Sequence, residues 1–352
     1  MLLPTPKDIK EKYPLSAYHK EFLQSSNATV KDIFHGVDKK FVIITGPCSI
    51  HDPKAALEYA KRLSELSERV SDSCFLIMRV YIEKSRSTVG WKGMLYDPYL
   101  DGSDDILAGL EVCRKLLLDI TELKVPIALE FVDPLLAPYI DDLVTWGFIG
   151  ARSCSSQPHR QLSSLLPIPI GFKNTVDGDI ISAVEGVISA SSPHTFLHVN
   201  SFGNLCVEKS EGNPLAHIVL RGGRQKANYY PETVQASLEL LKSAEACPRL
   251  IVDCSHGNSQ KNHVKQKEVF FSIVDQVLQG NKNIMGVMLE SHLYEGVQSP
   301  YQSSSSLKYG ISITDPCLDW VSTEGLILSA GCAFSDTAFA STSSTEEFSS
   351  SK

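Results

Sequence analysis

Short apolar, β-branched runs recur along this chain, and between most of them apolar residues return every three or four positions. The runs cover 41–45, 75–80, 127–131, 148–151, 168–172, 195–199, 217–220, 249–253 and 284–289, each bounded by polar or glycine-bearing sequence. Between the first two, Leu57, Ala60, Leu63 and Leu66 mark one face of a helix over 54–66, and the segments 107–118 and 232–241 keep the same period. Strand alternating with helix predicts a parallel sheet with crossover helices. The runs exceed by one the count of a closed eight-stranded barrel. The surplus is 195–199, which a second short run, 205–208, follows after only 200–204. That gap is too short for a crossover helix, so the pair is predicted to be an antiparallel hairpin inserted before the sixth barrel strand.

The predicted fold is therefore an α/β chain: a (β/α)8 TIM-type barrel with an N-terminal helical extension and an inserted β-hairpin. The extension covers 1–40, with Asn27 capping a short helix through Ile33 and Gly36 ending it. The barrel covers 41–334, with the hairpin at about 195–208 and a last helix over 317–334. Beyond it, 335–352 is Ser-rich and poor in apolar residues, and is expected to be a disordered tail.

Composition narrows the setting. The chain has 352 residues, 43% hydrophobic and 21% charged, long enough to bury a core without disulfides. Nine cysteines, an odd number without C-x-x-C spacing, and an N-terminus that turns polar within a few residues predict free thiols in a reducing cytoplasm. No apolar run approaches the roughly 20 residues of a membrane span, so no membrane partner is expected. The net charge of −8 disfavours nucleic acid. Any basic cluster on so acidic a chain is then informative.

In a barrel of this type the active site lies at the C-terminal ends of the strands. Each predicted strand delivers chemistry there: Cys48 after the first, Arg79, Lys84 and Arg86 around the second, Glu130 on the third, Ala151 and Arg152 after the fourth. Lys173, Arg221, His256 and Glu290 follow the later strands, and Asp315 lies in the last loop. The cations match phosphate or carboxylate groups and would repel one another without an anion. Cys48, His256, Glu290 and Asp315 combine thiol, imidazole and carboxylates, a set suited to a divalent ion such as Mn, Fe, Co or Zn. Singly, each residue has an ordinary explanation: Cys48 as a buried hydrophobe, His256 as a hydrogen-bonded core residue, the acids as solvated caps, the arginines as rim charges. Their joint arrival at one rim is what those explanations do not predict.

The segments that carry these residues are GPCSIHDP (46–53), MRVYIEKSRSTVGWKG (78–93), GARS (150–153), GFKNTVDG (171–178), LRGG (220–223), DCSHGNS (253–259), VMLESHLYEG (287–296) and SITDPC (312–317). In order and across nearly the whole chain, they resemble class I 3-deoxy-D-arabino-heptulosonate 7-phosphate (DAHP) synthase of the larger microbial, aromatic-regulated type. The resemblance implies condensation of phosphoenolpyruvate with erythrose 4-phosphate, the first step of aromatic amino-acid biosynthesis, by a homo-oligomer (dimer or tetramer). It puts a divalent metal on Cys48, His256, Glu290 and Asp315. Phosphoenolpyruvate falls to Arg79, Lys84, the Ala151 N–H, Arg152, Lys173 and Arg221, and the acceptor's phosphate to Arg86 and Ser87. For that reaction Lys84 is the candidate to protonate the new hydroxyl, and Glu130 or a metal-bound water the candidate to manage the attacking water.

Two departures are visible. Ser85 and Ser87 stand where the family has the proline and threonine of a K-P-R-T loop, which frees the backbone there. Only Met1–Leu3 precede Pro4, and Pro167 and His198 look atypical for the family's effector pocket, which leaves inhibition by phenylalanine, tyrosine or tryptophan open. The related synthase that takes arabinose 5-phosphate lacks the RSTVGWKG segment and the long extension. A non-catalytic regulatory paralogue would not be expected to keep every site residue.

Overall fold

The structure is a computed structural model that describes residues 2–300 and 306–346, with side chains through Asp336. Helix α1 (Pro6–Lys12) starts from a capping box between Thr5 and Asp8. Helix α2 (Ala17–His35) starts from Ser16, whose Oγ accepts from the His19 N–H, and ends at Gly36 in the left-handed conformation. Asn27 therefore caps nothing. The buried face, His19, Leu23, Ser26, Val30, Ile33 and Phe34, runs straight past its position, and burying the four apolar residues of that face outweighs the local capping preference.

The strands are β1 (Phe41–Gly46), β2 (Cys74–Arg79), β3 (Ile127–Glu130), β4 (Trp146–Ile149), β5 (Ile170–Lys173), β6 (His194–Val199), β7 (Leu205–Ser210), β8 (His217–Leu220), β9 (Leu250–Asp253) and β10 (Ile284–Glu290). All but β6 and β7 form one closed parallel barrel in the order β1-β10-β9-β8-β5-β4-β3-β2. β6 and β7 pair antiparallel as a separate hairpin between β5 and β8, where the sequence placed it. Strand β4 begins earlier than the predicted 148, because Gly147 belongs inside it: a Cβ there would stand 2.6 Å from the Phe131 ring.

Inside the barrel, Val42, Ile44, Ile77, Ala128, Trp146, Phe148, Val219, Ile251 and Met288 form one cluster with Val30, Ile33 and Phe34 of α2. The Phe34 ring lies 4.5 Å from that of His217, the first residue of β8, and the Trp146 Nε1–H donates to His217 Nε2 at 3.2 Å. The extension thus plugs the end of the barrel where the strands begin, leaving the opposite end for chemistry. The alternate strand residues, such as Ile43, Leu76 and Leu129, pack outward with α3 (Pro53–Arg69), α4 (Ile106–Glu122) and the other crossover helices.

The last helix (Trp320–Glu346) corrects the sequence reading at both ends. It starts after Asp319, which accepts from the Ser322 N–H at 2.7 Å, because Cys317 and Leu318 are committed to bridges with Gly296 and Ser291. It continues past 334 into the segment expected to be a disordered tail; no glycine or proline lies between 335 and 346 to stop it. Residues 347–352 of that expected tail lie outside the described residues.

Candidate active site

A cavity of about 620 Å³ opens at the C-terminal rim of the barrel. Lys84, Arg86, Ser87, Glu130, Ala151, Arg152, Lys173, Arg221, His256 and Asp315, all named from the sequence, line it. Arg79 does not line it. Its side chain is fully buried beneath the floor, where Nη2 donates to Glu290 Oε1 at 3.0 Å and the guanidinium lies 3.9 Å from the centre of the Tyr81 ring.

Cys48, Glu290 and Asp315 meet at the edge of the cavity, their ligand atoms all within 4.8 Å of one another. His256 joins from the side, with Nε2 3.6 Å from Glu290 Oε1. The Lys84 Nζ donates to Cys48 Sγ at 2.8 Å and stands 3.8 Å from Asp315. Burial, then the negative field of Glu290, pushes the Cys48 thiol up to about 12. Burial also works against the Asp315 carboxylate, yet Lys84 and His256 hold it down at about 2. Burial alone would lower Lys84, but Cys48, Asp315 and Glu290 outweigh it and keep the ammonium above its ordinary value. Thiolate with carboxylate and imidazole is the donor chemistry of a transition-metal ion, and such an ion would offset the burial that disfavours the Cys48 thiolate. The residues fit a divalent cation.

Backbone geometry fixes these groups. His256 takes a left-handed φ of +55°, and its carbonyl accepts from the Lys261 N–H at 2.8 Å, which turns the ring back over the rim. Glu290 is clamped at its backbone by Gln266, whose Oε1 accepts from the Glu290 N–H at 2.8 Å while Nε2 donates to the Glu290 carbonyl at 3.0 Å. Gly150 leaves room for Glu130, since any side chain there would run into its carboxylate.

On the cationic side, the Arg152 Nε donates to Ser87 Oγ at 2.8 Å, and the Arg86 Nε donates to the Trp91 carbonyl at 2.8 Å. Lys173 sits 4.5 Å from the centre of the Phe148 ring. Burial lowers both Lys173 and Arg221, so each gains from an anion delivered to it.

The sequence reading missed Asp253, the residue that ties the two sets together. Fully buried, its Oδ2 accepts from the Lys173 Nζ at 2.7 Å and faces His256 Nδ1 at 2.9 Å, while Oδ1 accepts from the Ser255 N–H and Oγ–H at 3.0 and 2.6 Å. Burial opposes its charge, but His256 and Lys173 hold it well below the ordinary carboxylate range. A carboxylate that fixes the second nitrogen of a metal-facing histidine sets its tautomer and orientation. The signal was available. Asp253 ends the apolar run LIVD as Lys173 ends IGFK.

Fold and rim together define a parallel α/β barrel enzyme with a cavity lined by cationic side chains beside a group that could hold a divalent cation. The sequence matches the DAHP synthetase I family over residues 16–327. It is 44% identical over 326 residues to the Tyr-sensitive phospho-2-dehydro-3-deoxyheptonate aldolase of Escherichia coli (strain K12), covering 93% of this chain and 91% of that protein. To the Trp-sensitive phospho-2-dehydro-3-deoxyheptonate aldolase of the same strain it is 43% identical over 325 residues, covering 92% of this chain and 93% of that one. A solved phospho-2-dehydro-3-deoxyheptonate aldolase from Francisella tularensis SCHU S4 superposes with a TM-score of 0.92 at 40% identity, covering 95% of this chain and 97% of that one. The chain belongs to the DAHP synthetase I family.

Proposed function

We propose that this protein condenses phosphoenolpyruvate with erythrose 4-phosphate and water, giving 3-deoxy-D-arabino-heptulosonate 7-phosphate and inorganic phosphate, the first step of aromatic biosynthesis. The observation that carries the reading is the convergence of Lys84, Arg86, Arg152, Lys173 and Arg221 on one cavity that also exposes His256 and Asp315. Arg152, Lys173, Arg221 and the Ala151 N–H take phosphoenolpyruvate, with Arg79 acting from beneath through Glu290. Arg86 and Ser87 take the phosphate of the aldose.

Cys48, His256, Glu290 and Asp315 hold a Mn, Fe, Co or Zn ion, which when bound supplies Lewis-acid polarisation of the aldehyde oxygen. The enol carbon of phosphoenolpyruvate forms a bond to the aldehyde carbon, and water adds to the carbon bearing phosphate. That C–O bond then breaks, releasing inorganic phosphate. Lys84, its Nζ 2.8 Å from Cys48 Sγ, delivers the proton to the new hydroxyl. Glu130, which lines the same cavity, takes the proton of the attacking water. Positioning and fixed charge carry most of the acceleration.

The protein works in the cytoplasm as a homo-oligomer, a dimer or tetramer. Its nine cysteines are free, which suits a reducing compartment, and Leu197, Leu205 and Val207 give the hairpin an exposed apolar face that suits a second copy. No helix among the described residues is long and apolar enough to cross a membrane. The test is product formation by purified protein supplied with phosphoenolpyruvate, Mn²⁺ and either erythrose 4-phosphate or arabinose 5-phosphate. Heptulosonate phosphate from the four-carbon sugar, lost on chelation and restored by metal, is expected. Preference for the five-carbon sugar, or no phosphate release from either, overturns the reading.

A further inference from the structure

Three buried asparagines, Asn174, Asn228 and Asn258, lie behind the cationic wall and belong to none of the roles assigned above. They follow or face the ends of adjacent strands β5, β8 and β9. Asn174 comes directly after Lys173, Asn258 comes shortly after His256, and Asn228 returns over Gly222 from the loop beyond β8.

Their amides are spent on the backbone that carries Arg221. The Arg221 N–H donates to Asn174 Oδ1 at 2.8 Å, and the Arg221 carbonyl accepts from the Gly257 N–H at 3.0 Å. The next peptide is held the same way: the Gly222 N–H donates to Asn228 Oδ1 at 2.7 Å, and the Gly222 carbonyl accepts from Asn174 Nδ2 at 3.0 Å. Asn228 Nδ2 donates to Asn174 Oδ1 at 3.1 Å, and the Asn228 N–H donates to Asn258 Oδ1 at 2.8 Å. Asn258 Nδ2 closes the set on the Leu220 and Asp253 carbonyls, at 3.1 and 2.9 Å.

The Arg221 guanidinium is referenced to the same peptides, because its Nη1 donates to the Gly222 carbonyl at 2.9 Å. No slack surrounds this arrangement. Gly222 needs its left-handed φ of +70°, and a Cβ at Gly257 would stand 2.5 Å from the Gly223 carbonyl oxygen. A neutral amide is the chemistry the position calls for. It offers donor and acceptor together, while a carboxylate would add charge beside Asp253 and a hydroxyl would not reach two peptides.

We infer that Asn174, Asn228 and Asn258 form a positioning triad that locks Arg221 in register with Lys173 and His256, so that the cationic wall meets its anion already assembled. The inference rests on the phosphoenolpyruvate reading of the cavity. Preorganisation of this kind acts on ligand binding, since an arginine free to swing must be ordered when the anion arrives.

A control for plain structural loss exists in the same barrel. Asn213 is a buried asparagine before β8, with Nδ2 donating to the Ser163, Leu166 and Ile168 carbonyls and Oδ1 accepting from the Leu215 N–H, remote from the rim.

The experiment compares Asn228→Ala with Asn213→Ala, by thermal unfolding, by steady-state kinetics and by calorimetric binding of phosphoenolpyruvate and of inorganic phosphate. Both variants are expected to lose thermal stability. Only Asn228→Ala is expected to raise KM and Kd for phosphoenolpyruvate, by about tenfold, with kcat held within about threefold. Asn228→Asp keeps the acceptor for the Gly222 N–H but sets a carboxylate oxygen against Asn174 Oδ1 in place of a donor, so it is expected to weaken phosphoenolpyruvate binding at least as much as the alanine. Unchanged phosphoenolpyruvate binding in both Asn228 variants, or an equal rise in Asn213→Ala, overturns the triad. Wild-type protein that binds phosphate but neither binds nor turns over phosphoenolpyruvate overturns the substrate reading instead, and the triad is then judged on phosphate affinity alone.

Discussion

Asp253→Asn is the substitution that most directly tests how the rim is held together. The change keeps shape and removes one charge. In the wild type one carboxylate oxygen faces Lys173 and His256, and the other accepts from the Ser255 N–H and hydroxyl. An amide cannot serve both sides. Turned one way, its NH₂ meets the Ser255 N–H; turned the other, it meets the Lys173 ammonium and the His256 ring. Lys173, only 4% exposed, then keeps its charge without a partner or loses its proton. Removing one member of a buried pair costs about 3–5 kcal/mol, roughly a fifth or more of a typical domain's stability. The same change frees His256 to rotate, and loss of such a carboxylate partner weakens metal binding about 10- to 100-fold. Urea unfolding followed by circular dichroism and a Mn²⁺ titration of the folded variant read the two effects separately. A variant with wild-type unfolding midpoint and wild-type metal affinity would refute the claim that Asp253 joins the cationic and metal-binding sides.

Two further outcomes are expected. Glu83 is buried beside Asp133 and Glu130, its Oε1 finds no hydrogen-bond partner among the described residues, and burial followed by those two acids raises its carboxyl to about 8. The folded state therefore holds a proton that the unfolded chain releases, so stability should fall as pH rises from about 5 to about 8, by up to about 1.4 kcal/mol per pH unit. Glu83→Gln should flatten that part of the pH profile in chemical denaturation, and an unaltered profile would show that Glu83 is not its source. Gly257→Ala drives a Cβ to 2.5 Å from the Gly223 oxygen and 2.6 Å from the Gly222 carbonyl carbon, all backbone that cannot rotate away. A loss of about 1–3 kcal/mol is expected with weakened phosphoenolpyruvate binding, checked by denaturation and calorimetry, and a neutral substitution would mean the β8 and β9 loops are looser than they stand here.

Much of the site was legible because a barrel converts strand order into position. Once the apolar runs were counted and the hairpin set aside, the residue after each run had to face one rim, which is how Lys173, Arg221, Glu290 and His256 emerged together. Asp253 carries the same mark as the last residue of the run 249–253, but His256, three residues on, already supplies that strand end with a chemical group. Asn174, Asn228 and Asn258 carried none: a short amide beside glycines is ordinary turn composition, and only backbone atoms arriving from neighbouring strands give those amides a purpose. Asn27 failed for the opposite reason, since its capping chemistry was real but the long apolar face of α2 prevailed.

What the sequence alone determined was periodic and local: the alternation of strand and helix, the hairpin between the fifth and sixth barrel strands, and which residues end each strand. Tertiary structure decided what each end group answers to. Arg79 and Lys173 look equivalent in the chain, yet one is sealed under the floor against Glu290 and the other is offered to the cavity above Asp253. The physical reason is that a strand's period sets which way a side chain points, whereas its charge state and its partner depend on groups brought from other strands, at distances no spacing along the chain encodes.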